Sequence, residues 1–174
     1  MSDDDALTDD TEALETVELT LRVNGKRTKI VVPSAISLLE LLRDRLNLRG
    51  TKLACSRAVC GSCTVLIDGH PAASCALFAF QADGADIVTI EGLADKDEAL
   101  HPVQDAFRKF SAFQCGYCTS GMILLAKALL DHDPAPSRAT VVEWMSSGVC
   151  RCTGYNLIVE AVLSAASEMR RTTR

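Results

Sequence analysis

Eight cysteines in two groups of four are the residues best suited to chemistry in this chain. The first group, Cys55, Cys60, Cys63 and Cys75, is spaced C-x4-C-x2-C-x11-C. The second, Cys115, Cys118, Cys150 and Cys152, is spaced C-x2-C-x31-C-x-C. Each group supplies four thiolates, enough for one inorganic centre. Two such centres in one small chain point to electron conduction rather than to a self-contained catalyst.

Three chemistries use cysteines at this density. A disulfide framework suits small secreted domains that lack a core. Here 48% of residues are hydrophobic, and the N-terminus MSDDDALTDD has no export signature. A Cys150–Cys152 bridge would also close a very tight loop. Structural zinc usually takes paired C-x2-C knuckles. The second group has one such pair plus C-x-C, and the first has a C-x4-C-x2-C run with a distant fourth ligand, which is not the paired-knuckle pattern, so zinc remains a weaker alternative. The C-x4-C-x2-C…C run is the spacing of plant-type 2Fe–2S ferredoxins. Small residues such as Gly61 and Ser62 allow backbone N–H groups to approach inorganic sulfide. His70, His101 and His132 lie outside both groups, so the two-histidine Rieske ligation does not apply. The spacing favours iron–sulfur.

The elements that must position these thiols are legible on either side of them. Val17, Leu19, Leu21 and Val23 alternate with polar residues, the pattern of a half-buried strand. Asn24-Gly25 predicts a hairpin, with a returning strand from Lys26 to Val32 that Pro33 ends. Ser37 with Glu40 forms a capping box before a short helix to about Arg45 that buries Leu38, Leu41 and Leu42. After the first cysteine loop, Thr64–Ile67 reads as a strand turned by Asp68-Gly69. Short strands near Ala72–Cys75 and Ile87–Ile90 complete a β-grasp composition of two hairpins and one helix.

The pattern changes after Gly92. Four short helices are predicted. The first opens at His101-Pro102 and buries Val103, Ala106, Phe107 and Phe110. The second follows Cys118, with Met122, Leu125, Ala126, Leu129 and Leu130 on one face. The third is capped by Ser137, carries Val141, Val142 and Met145 inward, and ends at Gly148. The fourth starts near Asn156, with Ile158, Val162, Ala165 and Met169 inward. Together they predict a small four-helix bundle. Cys115 and Cys118 precede its second helix, and Cys150 and Cys152 its fourth. Both helix N-termini are therefore expected to point at one centre, where free N–H groups and the dipole favour an anion.

The chain has 174 residues and a formal charge of −5. Residues 1–18 hold eight acidic and no basic residues, whereas the remainder carries 15 acidic and 18 basic ones. A disordered acidic tail over 1–15 is expected, then a β-grasp domain over 16–93 and a helical domain over 98–172. No apolar run is long enough to span a membrane, and no basic stripe with interleaved aromatics suggests nucleic acid. A cytoplasmic location is expected.

Gln114-Cys-Gly-Tyr-Cys-Thr-Ser-Gly-Met122 and Cys150-Arg-Cys-Thr-Gly-Tyr155 resemble signatures of the small iron–sulfur subunit of the molybdenum hydroxylases, the xanthine dehydrogenase and carbon monoxide dehydrogenase superfamily. Cys60-Gly-Ser-Cys-Thr-Val65 is similar to the ferredoxin-type loop of that family, and the resemblance covers about residues 16–168. The departures are Ala54 and Ala58 where glycine is frequent, Ser62 for alanine, Ser120 for proline, Gly148 for asparagine and Val149 for leucine. None removes a cysteine.

The resemblance implies an α+β protein: an N-terminal β-grasp 2Fe–2S ferredoxin-like domain followed by a C-terminal four-helix bundle 2Fe–2S domain. It implies that Cys55, Cys60, Cys63 and Cys75 hold an exposed cluster, and Cys115, Cys118, Cys150 and Cys152 a buried one. It places Gln114 and Cys152 against the molybdopterin of a large partner subunit. It implies electron transfer onward to a medium FAD subunit, in a heterotrimer or a dimer of heterotrimers. The alternative it leaves open is the same clusters in a flavin-free complex that delivers electrons to a cytochrome, as some members of the family do. A zinc-stabilised interaction module is the alternative of a different class.

Overall fold

The computed structural model describes residues 15–94 and 99–172. The expected acidic tail therefore lies, apart from Glu15, outside the described residues, as does the junction at 95–98.

Strands β1 (Thr16–Val23) and β2 (Lys26–Pro33) form an antiparallel hairpin in which Val23 faces Lys26. Asn24 and Gly25 both have positive φ, 50° and 76°, as a two-residue type I′ turn requires. Leu19, Leu21 and Val23 share the buried face. Strands β3 (Thr64–Ile67) and β4 (His70–Ala73) form the second hairpin around Asp68-Gly69. Strand β5 (Asp86–Val88) joins the two, parallel to β1 and antiparallel to β3, giving the order β2-β1-β5-β3-β4.

Helix α1 (Leu38–Glu40) continues into a π-helical turn over Leu41–Arg45. The capping box is present: the Glu40 N–H donates to Ser37 Oγ at 3.1 Å, and the Ser37 N–H donates to Glu40 Oε2 at 2.9 Å. Leu38, Leu41 and Leu42 are fully buried against the sheet.

Two strands differ from expectation. Strand β4 begins at His70 because Asp68-Gly69 closes the turn in two residues and pairs Ile67 with His70 at once. Cys75 therefore lies beyond it, in a 3-10 turn over Ser74–Ala76. The buried Ser74 hydroxyl donates to the Cys63 carbonyl at 2.7 Å, which folds that turn back onto Cys63. Strand β5 stops at Val88, because the Thr89 N–H is taken at 2.9 Å by the Asn24 side chain from the other hairpin.

Four helices follow: α2 (Pro102–Lys109), α3 (Thr119–His132), α4 (Arg138–Met145) and α5 (Asn156–Thr172). Val103, Phe107, Leu124, Leu129, Met145 and Ile158 lie in their shared core. Two expected core residues do not. Val142 is 51% exposed, because Val141 and Met145, four apart, define the inner face of α4. Phe110 caps α2 rather than lying within it and is partly exposed.

The two halves are not independent beads. Along β3, Val65 points into the sheet's core, while its neighbour Leu66 points into the helical core. Adjacent residues of one strand thus tie both halves together.

Candidate metal centres

Three thiols of the first group come from one irregular loop between α1 and β3, and Cys75 comes from the turn after β4. Ser56 and Ala58 both have φ of 55°, a left-handed conformation unusual for residues with a Cβ. It turns successive N–H groups inward. Those of Arg57 and Val59 lie 3.4 Å from Cys55 Sγ, and that of Ala58 lies 3.4 Å from Cys75 Sγ. The Arg57 N–H, then those of Cys60 and Val59, bring the Cys55 thiol down to about 6. Burial pushes Cys63, beside Cys75 and Cys60, up to about 11.

The second group is assembled from two separate leads. Cys118 is the N-cap of α3, with Cys115 three residues earlier. Cys150 and Cys152 lie in the turn before α5. Cys152 Sγ is 3.6 Å from Cys115 Sγ, and Cys118 is hydrogen-bonded to Cys150. Burial pushes Cys118 up to about 12. Burial also raises Cys150, but the Thr153 hydroxyl and N–H, at 3.2 and 3.4 Å from its sulfur, outweigh that and leave it lowered. The neighbouring Cys115 thiol raises Cys152.

The two helices expected to point their N-termini at this group are α3 and α5. Helix α3 starts at a cysteine. Helix α5 does not begin until Asn156, whose N–H bonds to the Gly154 carbonyl. The donors to Cys150 come instead from the Thr153 turn, which the sequence motif contains without revealing its role. Tyr155 braces the same turn: its hydroxyl accepts from the Cys150 N–H at 2.7 Å and donates to the Gly148 carbonyl at 3.0 Å.

None of the eight cysteines is paired in a disulfide. Among the described residues no three His, Cys, Asp or Glu side chains converge on a single ion position. The thiols come together pairwise instead, Cys55 with Cys60 and Cys63 with Cys75, then Cys115 with Cys152 and Cys118 with Cys150. Four thiols in two pairs, with N–H donors at 3.4 Å, suit a binuclear centre with two thiolates to each iron.

The thiols differ in exposure within the chain itself. Cys55, Cys60, Cys63 and Cys75 are buried or partly buried, whereas Cys115 and Cys152 are exposed. Within the second group Cys150 is buried and Cys118 half-buried, so its exposure is confined to Cys115 and Cys152. Gln114 is exposed, and its Nε2 donates to the Cys152 carbonyl at 3.0 Å. Phe113, Tyr117 and Val149 are also exposed nearby in the chain.

The two loops touch. The Val149 N–H donates to the Cys60 carbonyl at 2.9 Å. Gly121, in the first turn of α3, lies so close to the first loop that a Cβ there would meet the Gly61 carbonyl oxygen at 2.2 Å.

The chain matches two family models in succession: a 2Fe-2S iron-sulfur cluster binding domain over residues 21–87, and a 2Fe-2S binding domain over residues 89–163. It is 44% identical over 153 residues to the nicotine 6-hydroxylase small subunit of Paenarthrobacter nicotinovorans, covering 88% of this chain and 92% of that one. It is 43% identical to the aldehyde oxidoreductase iron-sulfur-binding subunit of Escherichia coli K12, covering 92% of this chain and 76% of that one. Among solved structures, quinoline 2-oxidoreductase from Pseudomonas putida 86 superposes with a TM-score of 0.86 at 44% identity, covering 90% of this chain and 97% of that one. The aldehyde oxidoreductase from Desulfovibrio desulfuricans ATCC 27774 gives 0.85 at 41%, over 88% of this chain but 17% of the much longer one. With both cluster-binding domains in order, this chain belongs to the small iron–sulfur subunits, each with two 2Fe–2S domains, that carry electrons in the molybdenum hydroxylase (xanthine dehydrogenase and carbon monoxide dehydrogenase) superfamily.

Proposed function

We propose that this chain receives electrons from the molybdopterin site of a large subunit at its second cysteine group and passes them on through its first. The observation that carries this reading is the exposed pair Cys115 and Cys152 beside Gln114, on the half whose other thiols are partly or fully buried. In this reading Cys115, Cys118, Cys150 and Cys152 hold one 2Fe–2S cluster, and Cys55, Cys60, Cys63 and Cys75 the other. Each cluster supplies one-electron redox capacity at its site. The surrounding residues hold thiols in pairs and aim N–H groups at sulfur, two levers that set potential.

Gln114 and Cys152 face the pterin in this assignment. Gln114 is already oriented by its bond to the Cys152 carbonyl, so its remaining amide capacity is available to a partner. The outlet is a medium FAD subunit, the complex a heterotrimer or a dimer of heterotrimers, and the compartment the cytoplasm. The domains divide at residues 16–93 and 98–172, with α2–α5 as a four-helix bundle. No helix among the described residues is long and apolar enough to cross a membrane.

Two cysteine variants in the assembled complex test the ligand partition. Cys115→Ser should abolish one 2Fe–2S EPR signal and stop reduction of the other by substrate. Cys60→Ser should spare that signal, remove the second and interrupt the outlet. A folded Cys60→Ser complex lacking the first signal would overturn the partition, and a colourless native protein holding two zinc ions would overturn the clusters altogether.

A further inference from the structure

Among the described residues two polar links join the cysteine groups, and they differ in kind. One is main chain to main chain, from the Val149 N–H to the Cys60 carbonyl at 2.9 Å. The other uses a side chain: the Tyr117 hydroxyl donates to the Leu53 carbonyl. Tyr117 stands between Cys115 and Cys118. Leu53 stands two residues before Cys55. The link therefore runs from inside one cysteine motif to the entrance of the other, across 64 positions of sequence.

The packing of Gly121 on Gly61 sets how closely the two groups approach. Such contact has no direction of its own. A hydrogen bond does. The Val149–Cys60 bond pins the seam at one point, about which the first loop is still able to pivot. A second bond, at Leu53, removes that pivot and fixes angle as well as distance. It also anchors the start of the segment whose Arg57 and Val59 N–H groups reach Cys55 Sγ.

Tyr117 has little packing role to compete with this one. It is 47% exposed and belongs to neither buried core. Its polar tip is the part with a specific partner.

We infer that Tyr117 is a positioning residue for electron transfer between the two centres, acting through its hydroxyl on the backbone ahead of Cys55. This rests on the reading that both cysteine groups hold clusters. One electron leaves the centre of the helical half and one arrives at the centre of the loop, so the step balances with no further reactant.

The test is Tyr117→Phe in the complete cluster-loaded complex. It keeps the ring and deletes only the donor. The magnetic splitting between the two reduced centres is read by low-temperature EPR, and inter-centre transfer by rapid mixing with substrate. Both 2Fe–2S signals should persist at full intensity, with an altered splitting and transfer slowed several-fold. Unchanged splitting and rate in a fully loaded variant overturn the inference. If Tyr117→Phe fails to load both centres, 3-fluorotyrosine at position 117 decides, since it keeps ring and hydroxyl and strengthens the donor. A shifted splitting then supports the role of the hydroxyl, and an unshifted one overturns it. A native complex without two 2Fe–2S signals would overturn the underlying reading and this inference with it.

Discussion

The two cysteine groups solve one problem in opposite ways. The first is local: three of its thiols come from nine residues of one loop, and that loop's own N–H groups surround the sulfurs. Only Cys75 comes from elsewhere, and the Ser74 hydroxyl folds it in. The second is assembled from leads more than thirty residues apart, held by the shared core of α2–α5 and by one turn at Thr153. It leaves Cys115 and Cys152 open. A loop that encloses its own thiols works at the edge of a chain. A site with an open face works where another subunit completes it.

The strongest way to break this contrast is to expose each centre to the same challenge. In the isolated cluster-loaded subunit, an iron chelator should bleach the helical centre much faster than the loop centre, and the large subunit should protect it. Time-resolved EPR checks this; equal rates with and without the large subunit would remove the open face from the account.

The seam between the groups offers the next effect. Gly121→Ala places a methyl against the Gly61 carbonyl, where backbone, not a flexible side chain, must give way. A cost of about 1–3 kcal/mol is expected from such overpacking, read as a lower denaturation midpoint together with an altered splitting between the centres. Leu66→Ala probes the same joint from inside. It empties a buried site that β3 contributes to the helical core, at about 2–5 kcal/mol by chemical denaturation.

Smaller effects sharpen the picture of the local loop. Ala58 adopts φ of 55°, where glycine carries no Cβ penalty. Ala58→Gly should relieve about 1 kcal/mol and raise the thermal midpoint slightly, without loss of either signal. Far from both centres, Ser37→Ala removes the cap of α1 at about 1 kcal/mol. Ser37 also holds the Glu40 carboxyl below its usual range, first through its hydroxyl and then its N–H. A depressed carboxylate stabilises above its unfolded pKa and loses that contribution as pH falls through the folded value. The Ser37→Ala deficit should therefore shrink in acid, which denaturation at neutral and acid pH will show.

The local elements were legible because short-range chemistry dictates them. Asn24-Gly25, the Ser37–Glu40 box and Pro102 each specify a backbone geometry within four residues. The cysteine groups were legible for the same reason, as spacing. What escaped was long-range. Ending β5 at Val88 depends on Asn24, 65 positions away from Thr89. Thr153 and Tyr155 were visible as motif letters, yet their bonds to Cys150 depend on a turn that periodicity does not describe. The outward face of Val142 follows from which stripe of a short helix meets α5, and one apolar residue more or less does not reveal that. Exposure of Cys115 and Cys152 is a property of the surface, set by what is absent from this chain as much as by what it contains.

The central claim is that the open, helical group is the inner end of the pathway. Its most direct test is the magnetic interaction between the paramagnetic molybdenum signal of the large subunit and the 2Fe–2S centres of this chain. In the native complex that molybdenum signal should be split by one reduced centre. The splitting should vanish in Cys115→Ser and persist in Cys60→Ser. A splitting that survives Cys115→Ser and disappears in Cys60→Ser would contradict the account, because the loop centre would then lie nearest the molybdenum.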